Sequence, residues 1–192
     1  MKKIAITMTH DKTYINLWRK YYSQYFDDLF VYDTTTNSDF VFLRGKSEEL
    51  IKEFLKTYDT VLFVCDDEFV IPLKGWDFTD DFIRCKGYEV IQTKDEPSLD
   101  FQKPILQQRK YWAQNSLWNK PTLTHVPLLY AQGWHCLKDE VQGEQEGNSN
   151  FLLVHLKRID WNIYSKRYSD KKVFHEFDDK LEEIPEEIKK YL

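Results

Sequence analysis

Cysteine is scarce in this chain and never closely paired: Cys65, Cys85 and Cys136 are scattered along 192 residues. An odd count without a CxxC supports neither a disulfide framework nor a zinc knuckle. A reducing, cytoplasmic setting is the simplest expectation, whether in a cell or in the host cytoplasm of a virus. Long apolar runs are also lacking. Residues 1–10 are basic and then briefly apolar, too short for a signal-peptide core or a membrane span. Positive charge is not in excess, because 27 basic against 32 acidic residues leave a net charge of -5. That balance gives no general attraction to nucleic acid or anionic lipid. No GxxxxGK[ST] or GxGxxG is found, which disfavours a P-loop NTPase or a Rossmann dehydrogenase. No GxSxG or Cys/His nucleophile pattern stands out. Neither an internal repeat nor a splitting linker is visible.

What is present is apolar and aromatic. Apolar residues make up 42% and aromatics 16%, enough for one packed domain over residues 1–192. Residues 3–8 read as a strand and 14–26 as a helix, with Ile15, Trp18 and Tyr22 on one stripe. Residues 29–32 read as a strand, 40–43 as a short third strand, and 47–58 as a helix capped by Ser47. Residues 60–65 are the most strand-like of all. This alternation predicts an α/β fold with a central, mostly parallel sheet flanked by helices. In the less regular second half, 104–117 reads as a helix, 123–127 as extended and 151–156 as a final strand. A helical tail is expected after residue 160, with an amphipathic surface helix over 181–192. The polar segment 142–150 reads as a mobile lid or as a plain surface loop.

Ligands of such sheets collect at the carboxyl ends of the strands. Polar clusters fall at three of those ends: Thr9-His10-Asp11, Asp33-Thr34-Thr35 and Asp66-Asp67-Glu68. Three acids after a buried strand repel one another, and a divalent cation is one way to hold them charged. A solvated acidic turn that caps the next element is the other reading. His155, inside the last apolar run, is either a satisfied core or edge histidine or a metal ligand beside carboxylates. The stripe of Trp18, Tyr21, Tyr22 and Tyr25 reads as core and its rim.

Ordered motifs over residues 4–160 resemble the small, family-2-like glycosyltransferases of the GT-A fold, found in bacteria and in large DNA viruses such as chloroviruses. Asn16 to Tyr22 is similar to the helix that follows their first strand. Asp67-Glu68-Phe69 is similar to the end of their D-x-D-E-F segment. Asn119-Lys120-Pro121, Val126-Pro127 and Gly133-Trp134-His135 resemble their KP, vP and GfH stretch, and His155 to Asp160 resembles their closing HlhRmD strand.

The resemblance implies a single GT-A-like domain. Residues 1–100 would form its nucleotide-sugar half, 101–160 its acceptor half and 161–192 its tail. It implies a UDP- or GDP-sugar donor, a glycan or glycoprotein acceptor, and Mn²⁺ or Mg²⁺ held by Asp67 and His155. Thr9, Asp11, Asp33, Asp66 and Lys120 would contact the donor. The family's first Asp is replaced here by Cys65, and its Glu-Asp pair after the glycine-aromatic turn is missing. Asp139, Glu140 and His135 are therefore the candidates for the acceptor's general base. A nucleotidyltransferase of related fold, or a non-catalytic module that binds glycan or protein, are the competing readings.

Overall fold

The computed structural model describes residues 1–36, 39–131, 134–167 and 180–192. β1 (Lys3–Thr9), α1 (Ile15–Tyr22), β2 (Asp28–Asp33), α2 (Phe40–Phe54) and β3 (Thr60–Cys65) follow one another in βαβαβ order. β1 pairs in parallel with both β2 and β3, giving the order β2-β1-β3. Alternation along β1 and β3 sends their apolar side chains to both faces. Ala5, Leu62 and Val64 meet Trp18, Tyr21 and Tyr22 of α1. Ile4, Ile6, Val61 and Phe63 meet Leu43, Leu50 and Ile51 of α2 on the other face. The chain thus leaves β1 toward β2 over one face and returns past β1 to β3 over the other. The carboxyl ends of β1 and β3 therefore flank a topological switch point, the usual crevice of an open α/β sheet.

Beyond β3 the pairing turns mostly antiparallel. β4 (Glu68–Pro72), β5 (Phe82–Ile91), β6 (Tyr111–Gln114), β7 (Lys120–Thr124) and β8 (Asn148–His155) complete the sheet's second half. β7 pairs with β3 and β5, β6 with β5, and β8 with β5 and β4; only the β5–β8 pairing is parallel. β3 and β4 are consecutive in the chain, yet β7, β5 and β8 lie between them in the sheet. Only Asp66 and Asp67 connect β3 to β4, so the sheet must curl to bring those two strands together. α1 secures the curl. The Tyr21 hydroxyl donates to Val70 O at 2.7 Å, and the Tyr22 hydroxyl accepts from Val70 N at 2.8 Å. These bonds supply β4 with the partners that its outer edge would otherwise lack.

Four local expectations are corrected. Residues 40–43 are not a strand but the first turn of α2, because Asp39 caps that helix by accepting from Phe42 N at 2.8 Å. Ser47 is consequently no cap: it is buried within α2, and its hydroxyl accepts from Trp134 Nε1 at 2.8 Å. Residues 104–117 hold no α-helix but a short 3₁₀ turn, Leu106–Gln108, then β6 and the start of a second 3₁₀ turn, Ser116–Trp118. The described parts of the tail fold as α3 (Trp161–Arg167), β9 (Leu181–Glu183) and the single turn α4 (Glu186–Lys189), while residues 168–179 of the expected helical tail lie outside the described residues. Ile184, Ile188 and Leu192 do share a buried face, but Pro185 lacks the N–H that a continuous helix needs. Residues 181–183 pair with β6 instead.

Candidate functional site

The Asp66-Asp67-Glu68 corner sits where the curl brings β1, β3, β7 and β8 together. Each acid faces a different partner. Asp66 accepts from the Thr9 hydroxyl at 2.8 Å, which ties the corner to the end of β1. Thr9 is itself held in place, since its hydroxyl accepts from Lys12 N at 3.1 Å and its carbonyl accepts from Thr34 N at 2.9 Å. Asp67 turns toward β8, and its Oδ2 lies 3.7 Å from His155 Nε2. Glu68 turns toward β7 and receives the Lys120 ammonium at 2.7 Å and Cys65 N at 2.7 Å.

Burial decides the electrostatics. Asp66, Asp67, Glu68, Lys120 and His155 are all buried, His155 being the most exposed at 6%, and Lys120 is completely enclosed. Burial alone would raise the Glu68 carboxyl, but the Lys120 ammonium and then His155 hold it below its ordinary value. Burial works against a charged His155, yet Asp67, with help from Glu89 and Glu68, holds it above the ordinary imidazole value. The Cys65 thiol is pushed well up by burial and by Glu68, so it stays protonated and makes a poor ligand for a hard cation.

The other expected residues are distributed unevenly. Asp33 and Asp11 lie on the exposed side of the β1 and β2 ends. Asp33 pairs with Lys12 at 2.6 Å and accepts from Thr35 N, and these bonds hold its carboxyl well below the usual range. Asp11 accepts from Thr13 N at 2.9 Å. Lys120, expected on the donor side, is instead committed to Glu68. Glu140 is also committed, accepting from Arg84 at 2.5 Å and from Leu137 N at 2.7 Å. Asp139 is exposed beside a cavity of about 380 Å³ that neither Asp67 nor His155 lines. Of the three proposed bases, only His135 approaches the acidic corner. Its ring packs on Trp118 at 4.7 Å, and the same indole also packs on His155 at 4.6 Å. Burial, then the Lys120 charge, pushes the His135 imidazole down to about 4. Gly133, which precedes this turn, lies outside the described residues, while Trp134 adopts a left-handed φ of 60°.

Three participants were not anticipated from the sequence. One is the buried pairing of Glu68 with Lys120. The second is Trp118, presented by a 3₁₀ turn, Ser116–Trp118, that interrupts the edge shared by β6 and β7. Gly87 on β5 makes room for it, since a Cβ there would lie 2.5 Å from the Trp118 backbone carbon. The third is Glu89, buried in β5, whose Oε2 receives Arg158 at 2.9 Å. A lone acid in the run Tyr88-Glu89-Val90-Ile91 is the signal that marks it. The polar segment after residue 142 is pinned at its far end. Gln145 O accepts from Asn119 Nδ2 at 2.9 Å, Gly147 abuts the Lys86 backbone, and residues 148–150 already belong to β8.

Among the described residues, no group of three or more His, Cys, Asp and Glu side chains is arranged to hold a metal ion. Two protein ligands are enough for a cation that also binds phosphate oxygens. The 3.7 Å between Asp67 Oδ2 and His155 Nε2 is a span that one ion with bonds of about 2.1 Å can bridge. One carboxylate and one imidazole at this separation suit a divalent cation and do not by themselves make a complete cage. No helix of the described residues is long and apolar enough to cross a membrane. A scan against protein-family models finds no match, and a search of curated proteins finds none either.

Proposed function

We propose that this protein is a metal-dependent glycosyltransferase of GT-A type that moves a sugar from a UDP- or GDP-sugar to a hydroxyl of a glycan or glycoprotein. The observation that carries this reading is the meeting of Asp67 with His155 beside the switch point between β1 and β3. The resemblance of the Asp67-Glu68-Phe69 and His155 to Asp160 segments to that family points the same way. Mn²⁺ or Mg²⁺ bound at Asp67 and His155 would neutralise the donor diphosphate as charge develops on it. Asp66 and Thr9 brace the corner, and Asp11 and Asp33, on its open side, border the nucleoside. Glu68 and Lys120 neutralise each other and hold β3, β4 and β7 at fixed spacing. His135, neutral at pH 7, takes the proton of the acceptor hydroxyl, whose oxygen attacks the anomeric carbon with inversion as the bond to the diphosphate oxygen breaks and the nucleoside diphosphate leaves. Asp67 is only 4% exposed, so donor entry requires neighbouring side chains to move aside.

The test is a thermal-stability panel with and without Mn²⁺, using UDP- and GDP-sugars. A donor at about 100 times its Kd adds about 2.7 kcal/mol of stability, which for a domain of this size is about 5–10 °C. Stabilisation by one sugar nucleotide only in the presence of metal is expected. No shift with any donor and metal would refute the reading.

A further inference from the structure

We propose that Glu89 is the positioning residue that fixes the His155 ring, receiving its Nδ1–H so that Nε2 stays directed at Asp67; the metal part of this inference rests on the function proposed above. The strand registers set the arrangement. His155 of β8 stands opposite Glu68 of β4 on one side and Glu89 of β5 on the other, and side chains at paired positions share a face of the sheet. Glu68 turns away toward β7, where its Oε2 receives Lys120 and Cys65 N, whereas Asp67 and Glu89 each bring a carboxylate oxygen within 4 Å of the imidazole. Glu89 has capacity left over. It is 3% exposed, and Arg158 engages only its Oε2, at 2.9 Å.

The remaining oxygen, Oε1, is buried without a hydrogen-bond partner, and so is His155 Nδ1. These two orphaned atoms lie 3.9 Å apart. A buried donor or acceptor left without a partner is unfavourable, and a shift of less than an ångström would join the two. Trp118, packed on the imidazole at 4.6 Å, limits the ring's freedom to turn away. A histidine that ligates a metal characteristically donates its other N–H to a carboxylate, which sets its tautomer and orientation. Glu89 is the residue placed to do this, and Arg158 anchors the carboxylate through its other oxygen at 2.9 Å.

The experiment uses the full chain labelled with ¹⁵N-histidine, in the parent, in Glu89→Gln and in Glu89→Leu/Arg158→Met. The double variant removes both buried charges together, which spares it an uncompensated ion. Glu89→Gln keeps the side chain's shape and serves if the double variant unfolds. In the metal-free parent, a slowly exchanging Nδ1–H of His155 is expected. It should vanish in the double variant and weaken in Glu89→Gln. Mn²⁺ titration followed by electron paramagnetic resonance should show affinity falling 10- to 100-fold in the double variant. An Nδ1–H signal identical in parent and variants, or its absence from the parent, would overturn the inference and leave Glu89 as no more than the counter-ion of Arg158. If the parent binds no Mn²⁺, the metal reading fails, while the Nδ1–H signal still decides whether Glu89 holds the ring.

Discussion

Replacing Lys120 with methionine keeps most of the side chain's volume and removes its charge, leaving the Glu68 carboxylate buried beside Cys65 and Tyr130. In the parent, the ammonium lies 2.7 Å from Glu68 Oε2, with side-chain exposures of 0% and 3%. Breaking one half of a buried pair costs about 3–5 kcal/mol, because the surviving ion has lost its solvent and its partner. Glu68 keeps the bond from Cys65 N, which argues for the lower end, about 3 kcal/mol. In a domain of this size that is a fall in Tm of about 6–12 °C. The pH dependence has a definite sign. Glu68 in the parent is held below its ordinary value, so its contribution is present above the unfolded carboxyl value and is lost as pH falls through the folded one. In Lys120→Met, burial acts unopposed by the ammonium and the carboxyl rises, so the variant's deficit relative to the parent shrinks toward pH 5. Scanning calorimetry of the parent, Lys120→Met and Lys120→Met/Glu68→Gln at pH 5 and pH 8 measures all of this. The double variant should recover more than half of the loss at pH 8. A single variant within 2 °C of the parent, or a double variant no better than the single, would refute the reasoning.

Gly87→Ala forces a Cβ into the Trp118 backbone at 2.5 Å; chemical denaturation should show a loss of about 1–3 kcal/mol and indole fluorescence should shift, whereas parental behaviour would mean that the Trp118 turn yields freely. His135, pushed down to about 4 by burial and Lys120, should show no imidazole titration by NMR between pH 8 and pH 5.5. Because its folded value is depressed, its protonation subtracts stability as pH falls from about 6.5 through the folded value, and a midpoint above 6 would contradict this. Asp33→Ala should leave Tm unchanged, since its pair with Lys12 is exposed, while weakening nucleoside diphosphate binding measured by calorimetry. Equal affinity would reduce Asp33 to a turn former.

The parallel half of the fold was legible chiefly through β3, an uninterrupted apolar run that is buried on both faces, with β1 buried along most of its length and β2 only partly buried beside it. The stripe of Trp18, Tyr21 and Tyr22 was equally legible, and it is core. β5 was not. Its Arg84, Lys86 and Glu89 interrupt any apolar pattern, and only tertiary partners, Glu140 for Arg84 and Arg158 for Glu89, make that strand buriable. The opposite error arose at Phe40, Val41 and Phe42, whose side chains suit a strand. They lie exposed on the first turn of α2 because Asp39 starts a helix there. At the candidate site, the acidic corner and His155 were readable as residue types. Their meeting depends on the Glu68–His155 register between β4 and β8, which no local pattern encodes. The committed pair of Glu68 and Lys120 was hidden for the same reason, since 52 residues separate the partners in the chain.

The proposed function requires Asp67 and His155 to hold a divalent cation on which donor binding depends. Calorimetric titration of UDP and GDP into the protein, with and without saturating Mn²⁺, in the parent and in Asp67→Asn, tests it most directly. The parent should bind one nucleoside diphosphate tightly only with Mn²⁺, and Asp67→Asn should lose most of that metal-dependent binding while keeping its fold. Metal-independent binding in the parent, or unchanged affinity in Asp67→Asn, would contradict the account.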